Sequence, residues 1–236
     1  MVLVWDENGR IPLEVHPEGI RGTVAQALNG QFEARHLDMP DRGLAGLEEA
    51  RVLIWWGHAR HDELSVEVAV DIAERVRRGE LGLLILHSGH QWRVAEAIFG
   101  NRVYSKGGWD HEPQAEHVRI CAPEHPICAG VEDFVIDDEE FYGAPATFPQ
   151  AETVLLQSYF PKFGRSYPSG LAWTVGEGKR EIERSGSGGG VGEGEGAGRV
   201  VYLRFGHETS RSLAHPRVQR LIRNAVEWLE ATDRSV

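Results

Sequence analysis

Gly82-Leu83-Leu84-Ile85-Leu86-His87-Ser88-Gly89-His90-Gln91-Trp92 decides how the rest of the chain is read. A short, wholly apolar run stops at a polar turn, and Val94-Ala95-Glu96-Ala97-Ile98-Phe99 then has helical character up to Gly100. A strand that is apolar on both faces belongs in the middle of a sheet covered on both sides. Such strands open at their carboxyl ends into the crevice where α/β proteins keep their ligands. Here that turn carries His87, Ser88 and His90, with Gly89 where the backbone bends most.

The pattern repeats on either side. Val2–Trp5 reads as a strand ending in Asp6-Glu7. Pro17-Glu18-Gly19-Ile20 opens a helix with Ile20, Val24, Ala25 and Leu28 on one face and Gly30 closing it. Phe32–Leu37 alternates like an edge strand, and Leu44–Ala50 reads as a short helix. Arg51–Trp56 is a second buried strand, followed by Gly57-His58-Ala59-Arg60-His61-Asp62. Ser65–Arg78 predicts an amphipathic helix with Val66, Val70, Ala73 and Val76 inward and Gly79 stopping it. Alternating strands and helices predict an α/β three-layer sandwich with a mostly parallel, doubly wound central sheet.

Further on, Glu116–Cys121 predicts a strand, and Phe134–Ile136 and Thr153–Leu156 predict strands of a later, antiparallel extension. Leu171–Val175 and Arg199–Phe205 read as a hairpin, joined by a Gly-rich surface loop at about residues 184–198. Pro216–Ala231 predicts a last helix burying Val218, Leu221, Ile222, Ala225, Trp228 and Leu229. Neither a repeat nor a linker interrupts the pattern, so residues 1–236 are expected to form one domain.

A net charge of −11 argues against a nucleic-acid partner, which needs a basic face. No apolar run approaches the roughly 18 residues of a membrane span, and the first residues enter a strand with no signal-like segment, so a cytoplasmic location is expected. Cys121 and Cys128 have neither redox nor zinc-ribbon spacing and read as two small thiols. The basic residues are nearly all arginine, with lysine only at Lys106, Lys162 and Lys179. A homo-oligomer through an edge strand or helix face is compatible with the pattern, which selects no face.

Four expected strand ends carry groups that bind metals or move protons: Asp6-Glu7, His58 with His61-Asp62, His87 with His90, and His207-Glu208. A histidine at a helix start feels the positive end of the macrodipole, which disfavours imidazolium. Neutral imidazole is the form that ligates a metal or acts as a base. One histidine after a strand is an ordinary turn residue; three from three converging strands make a candidate centre. His58, His87 and His207 are the candidate metal ligands, with Glu140 or Asp6 as a further one, and the imidazole count favours zinc over manganese or iron. Glu208, His90 and His61 are candidates for proton transfer. Asp6, Glu7, Trp56, Ser88, Trp92 and Tyr142 are candidates for contacting substrate. Trp5, Trp55, Trp56, Trp92 and Trp109 gather near these ends, mostly as core, with one or two placed to stack on a sugar ring. Asp62 doubles as a cap for a helix starting near Glu63. His16, His36, His111, His117, His125 and His215 read as surface or loop residues.

Two resemblances then emerge. Ile85–Gln91 is similar to the nucleophile elbow of class I glutamine amidotransferases, G-x-C-x-G-x-Q, and Phe205-Gly206-His207-Glu208 sits where that superfamily carries its catalytic His and Glu. His87 occupies the cysteine position, and an imidazole cannot replace the thiolate, so no glutaminase activity is expected. A longer match is to the trehalose-utilisation (ThuA-like) family. Trp5-Asp6-Glu7-Asn8, Pro17-x-Gly19-Ile20, Trp55-Trp56-Gly57-His58-x-x-His61-Asp62-Glu63, Leu86–His90, Glu139-Glu140-Phe141-Tyr142-Gly143 and Gly206-His207-Glu208-Thr209 look like its motifs, in order. The chain departs at Ala144-Pro145, where a glutamate is expected, and in its Gly-rich loop.

This resemblance implies an amidotransferase-like, flavodoxin-like fold. It also implies a role in the catabolism of disaccharides such as trehalose, alongside an NAD-type sugar dehydrogenase that makes 3-keto sugars. A C3 carbonyl acidifies the neighbouring C–H, a divalent ion would polarise that carbonyl, and a neutral His or Glu would move the proton. Two rival readings stay open. One is a hydrolase using Ser88, His207 and Glu208, which Ser88→Ala would abolish. The other is a non-catalytic sugar-binding or regulatory module, which would turn over neither disaccharides nor their 3-keto forms.

Overall fold

In a computed structural model, residues 1–7, 11–28, 34–37, 46–108, 114–176 and 197–231 are described. The strands are β1 (Val2–Asp6), β2 (Ala34–Leu37), β3 (Val52–Gly57), β4 (Gly82–His87), β5 (Ser105–Gly108), β6 (Glu116–Ile120), β7 (Phe134–Ile136), β8 (Phe141–Ala146), β9 (Thr153–Phe160), β10 (Arg165–Val175) and β11 (Gly198–Leu203). The helices are α1 (Gly19–Leu28), α2 (Val66–Arg77), α3 (Arg93–Phe99) and α4 (Pro216–Glu230). Nine strands form one mixed sheet in the order β2-β1-β3-β4-β11-β10-β9-β6-β7. From β2 to β11 every pairing is parallel, and from β11 to β7 every pairing is antiparallel. The expected hairpin is β10–β11, in register from Gly170↔Leu203 to Val175↔Gly198. Its second strand lies against β4, and that insertion carries the end of the chain to the neighbourhood of His87.

The apolar runs of β3 and β4 are wholly buried, and their successive residues alternate between two cores. Ile54, Trp56, Leu84 and Leu86 join one that contains residues of α1 and α4. Leu53, Trp55, Leu83 and Ile85 join the other, with residues of α2 and α3. Each such aliphatic side chain contributes about 1.5–3 kcal/mol by leaving water, which makes these two strands a firm base for the turns at their ends. Contact at the edges of this base is close. A Cβ added to Gly198 would fall 1.6 Å from the carbonyl oxygen of Val76, so α2 sits directly on β11.

Several expectations are corrected in detail. Val66 and Val70 are 54% and 41% exposed, and the buried stripe of α2 is Ala69, Ile72, Ala73 and Val76. The N-cap places this stripe: Ser65 Oγ accepts the Val68 N–H, which leaves Val66 in the first turn at the open end of the helix. Asp62 is therefore no cap, and pairs instead with Arg93 and Arg102. Ala25 and Trp228 are half-buried, and Ala27 takes the inward position in α1. The expected helix at Leu44–Ala50 is a 3-10 turn over Leu47–Glu49, and 44–45 lie outside the described residues. Gly30, Trp109, His111 and the Gly-rich loop up to residue 196 lie outside them too. The small β5–β8 pair was not anticipated. No helix among the described residues is long and apolar enough to cross a membrane.

Candidate active site

At the carboxyl end of β4 the chain makes a forced turn. His87 has φ 54° and ψ −134°, and among the described residues it is the one non-glycine with positive φ. Such a backbone costs about 1–3 kcal/mol and persists where the surroundings over-determine it. The ring is fully buried, and Nε2 lies 3.0 Å from His58 Nδ1, 3.4 Å from the Tyr142 hydroxyl and 3.6 Å from Glu140 Oε2. His58 Nδ1 lies 3.4 Å from Glu208 Oε2, and His207 Nε2 lies 3.6 and 3.9 Å from Glu208 Oε2 and Glu140 Oε2. The sheet order thus brings together the expected ligands His58, His87, His207 and Glu140 with Glu208, which was expected for proton transfer.

Two buried glutamates set the turns that carry the histidines. Glu7 directly follows β1, and its Oε2 accepts the backbone N–H groups of His58, Ala59 and Arg60 at 2.8–3.0 Å. Ser88 Oγ donates to the Gly57 carbonyl at 2.8 Å on the other side of the same turn. Glu139, fully buried, accepts the N–H of Gly206 at 3.1 Å and of His207 at 3.4 Å, and also bonds the Ser212 hydroxyl. The segment bearing Glu140 is fixed in turn by Arg204, which donates to the Glu140 carbonyl at 2.6 Å and forms a buried ion pair with Glu116. Glu116 also accepts the Ser158 hydroxyl.

Burial governs the proton equilibria. It holds His87 well below the usual imidazole range, helped by the neighbouring His207 and His58, and it lowers His207 as well. It pushes the Glu140 carboxyl up to about 7. The cluster therefore pairs neutral imidazoles with a carboxyl that exchanges its proton near neutrality. His207 Nδ1 accepts the Thr209 backbone N–H at 3.2 Å, so in the neutral ring the proton is on Nε2, facing the two carboxylates. Glu140 Oε2 and Glu208 Oε2 are buried without a hydrogen-bond donor among the described residues.

Donor atoms of His58, His87 and Glu208, and separately of His58, Glu140 and His207, lie within 4.8 Å of one another. Either set fits a divalent cation, since imidazole nitrogen and carboxylate oxygen are zinc donors and the two orphaned oxygens lack a positive partner.

Other expected contacts are placed elsewhere. Asp6 accepts the Arg21 N–H, so this carboxylate and that of Glu7 face the protein's own backbone. Trp92 and Trp5 stack on either side of Trp55 in the core, at 3.2 and 3.6 Å between centroids. Trp56 donates to the Gly206 carbonyl at 2.7 Å and stacks on His87 at 5.9 Å, flanking the cluster from within. His90 is packed among Tyr142, Phe148 and Tyr202, and burial lowers its pKa to about 4. His61 is buried beside Gly57, with no hydrogen-bond partner on either ring nitrogen among the described residues. His16 is not a surface residue: it is 1% exposed and bonded to Thr23. His125 and His215 cap helical turns through Ile127 and Arg217.

Sequence reasoning missed Glu139 and Arg204 as parts of the site. Arg204 left a signal, since one charge between Leu203 and Phe205 in a buried strand requires a buried partner. Glu139 stands first in the family-like run Glu139–Gly143, which marked the segment without giving this residue a role.

A ThuA-like protein from Parabacteroides merdae superposes with TM-score 0.65 at 16% identity, over 100% of this chain and 91% of that one. Another, from Bacteroides uniformis, gives 0.61 at 18% identity over 99% and 92%. A glutamine amidotransferase from Thermotoga maritima gives 0.55 at 12% identity over 98% and 99%. At these identities the likeness is one of fold, and it is the amidotransferase-like fold. No curated protein matches significantly. The family described as trehalose utilisation matches residues 1–229. This chain belongs to the trehalose-utilisation (ThuA) family.

Proposed function

We propose that the chain is a metal-dependent enzyme of carbohydrate metabolism acting on a glycoside or 3-keto-glycoside, in the cytoplasm and downstream of a sugar dehydrogenase. Family membership supports the carbohydrate context. In this reading the two cores form a doubly wound three-layer sandwich whose parallel strand ends carry the site. The single observation carrying the proposal is the convergence of three histidines and two glutamates on the strained turn at His87.

His58, His87 and Glu208 would hold the ion, two imidazoles and a carboxylate with a position left open for substrate. This assignment moves His207 out of the expected ligand set, because its Nε2 carries the proton. An ion bound there, zinc before manganese or iron, supplies Lewis-acid polarisation of a substrate carbonyl. The protein's own groups do the rest. Glu140, with its pKa near neutrality, takes the proton from the carbon beside the C3 carbonyl. The electron pair forms a double bond to the anomeric carbon as the C–O bond breaks, and the glycosidic oxygen leaves with the proton that Glu140 took up, while His207 Nε2–H faces that carboxylate. Ser88 positions the His58 turn through Gly57 and is no nucleophile in this scheme.

The test is metal analysis of protein purified without added metal, followed by zinc titration. About one zinc per chain and a raised melting temperature are expected. No stoichiometric ion and no thermal response to zinc would end the metal reading.

A further inference from the structure

A second concave site adjoins the histidine cluster across one strand. It encloses about 420 Å³ and is lined by Lys106, Gly108, Gln114, Phe141, Phe163 and Arg165, among others. Gly107, also in its wall, separates it from the catalytic groups: a Cβ there would meet Glu140 Oε1 at 3.1 Å and the Tyr142 ring at 2.3 Å. Glycine at this position lets the Tyr142 ring and the Glu140 carboxylate pack directly against the wall of the pocket.

The lining has an unusual charge for this molecule. The chain carries a net charge of −11 and three lysines, yet the two ionisable groups in this wall among the described residues are both cations. Neither Lys106 nor Arg165 has a carboxylate partner among the described residues; Arg165 touches only the Tyr167 hydroxyl, at 3.5 Å. Two cations with no carboxylate partner among the described residues, set in one concavity of an acidic protein, concentrate positive potential there. Phe141 and Phe163, 4.6 Å apart between centroids, add an apolar wall of the kind that packs against the C–H face of a pyranose. Buried Gln114 completes it, with an Oε1 that has no donor among the described residues.

We infer that this pocket binds the anionic end of the substrate, a carboxylate or phosphate carried on the sugar unit next to the one that reacts. The inference rests on the histidine cluster being the site of sugar chemistry, and it narrows the substrate class to acidic saccharides. Neutral disaccharides would fill the aromatic wall and leave both cations unpaired.

The experiment is calorimetric titration of the metal-free, full-length protein with glucose, glucuronate, glucose 6-phosphate and inorganic phosphate. At least one acidic sugar is expected to bind ten times or more tighter than glucose. That advantage should shrink at high salt and vanish in Lys106→Met and Arg165→Met, whose exposed positions leave folding untouched. Whichever acid binds identifies the group, carboxylate or phosphate. Equal affinity for glucose and both acids, no binding of any sugar, or variants that keep the preference would overturn the inference. Inorganic phosphate binding as tightly as the sugars would also overturn it, by reducing the pocket to a general anion site. Because no metal or turnover enters these titrations, they fail or succeed independently of the zinc measurement.

Discussion

Replacing Glu7 with alanine removes no group that touches an ion or a substrate, yet it should disable the centre. The Glu7 carboxylate holds three consecutive N–H groups of the His58–Arg60 turn at 2.8–3.0 Å, and its Oε1 adds a second bond to Ala59 at 3.0 Å. A bond to a charged acceptor contributes about 1.5–3 kcal/mol, a neutral one about half as much. The turn is half open to solvent, so water replaces part of what is lost. The net expectation is a loss of about 3–4 kcal/mol for Glu7→Ala. In Glu7→Gln one oxygen still accepts, but the amide group opposes the Ala59 N–H, and a loss of about 2 kcal/mol follows. Losing the support of a ligand-bearing turn lowers metal affinity by about 10–100-fold. Urea denaturation and zinc titration of the same preparations give both numbers. Destabilisation in the stated order with wild-type zinc affinity would refute the reasoning, because Glu7 would then hold the fold without placing His58.

Three further outcomes follow from the same geometry. Burial raises Glu140 to about 7 against an ordinary 4.5, so the folded state holds this proton more tightly than the unfolded chain. Its stabilising contribution is complete below about pH 4.5 and is lost as pH rises through 7, on the order of 3 kcal/mol in all for metal-free protein. Glu140→Gln should remove that part of the slope, and a stability difference from wild type that stays constant between pH 4.5 and 7 contradicts it. Ser88→Ala should lose about 1 kcal/mol of stability with its bond to Gly57, weaken zinc less than Glu7→Ala does, and retain turnover; abolished turnover with zinc retained would restore the hydrolase reading. His87→Gly should be more stable in urea than His87→Ala by about 1 kcal/mol, because only glycine accepts φ 54° without strain, and equal midpoints contradict a strained turn.

What the sequence disclosed depended on whether the signal was local. The runs Val52–Trp56 and Leu83–Leu86 announce central strands because every residue is apolar, and both are buried throughout. The histidines were legible because each follows such a strand. The position of β11 beside β4 was not, since a pairing between strands more than a hundred residues apart leaves no local mark. Roles were harder still to read. Glu7 and Glu140 are both acids near strand ends, and only three-dimensional placement assigns one to backbone N–H groups and the other to the space facing His87. Val66 and Val70 misled for a related reason: a helical stripe fixes the period of burial, whereas the N-cap at Ser65 fixes its phase.

The support of this centre runs through the main chain more than through the rings. Metal-binding histidines usually donate their second N–H to a carboxylate or carbonyl, which fixes the tautomer. His87 Nδ1 is buried and has no such partner among the described residues. Its ring is positioned instead by the strained backbone, by Trp56 stacked 5.9 Å away and by the Tyr142 hydroxyl. His58 and His207 are likewise set by glutamates that grip their backbone N–H groups. With its Nδ1–H unanswered, an ion at His87 Nε2 would be held at a disadvantage of about 1–3 kcal/mol relative to a site with every ring braced. The affinity expected is therefore moderate, and it depends on Glu7, Glu139 and Arg204, none of which would touch the ion. The turn where an amidotransferase-like elbow would lift a thiolate here aims an imidazole nitrogen at three neighbouring polar groups, and backbone strain keeps it aimed.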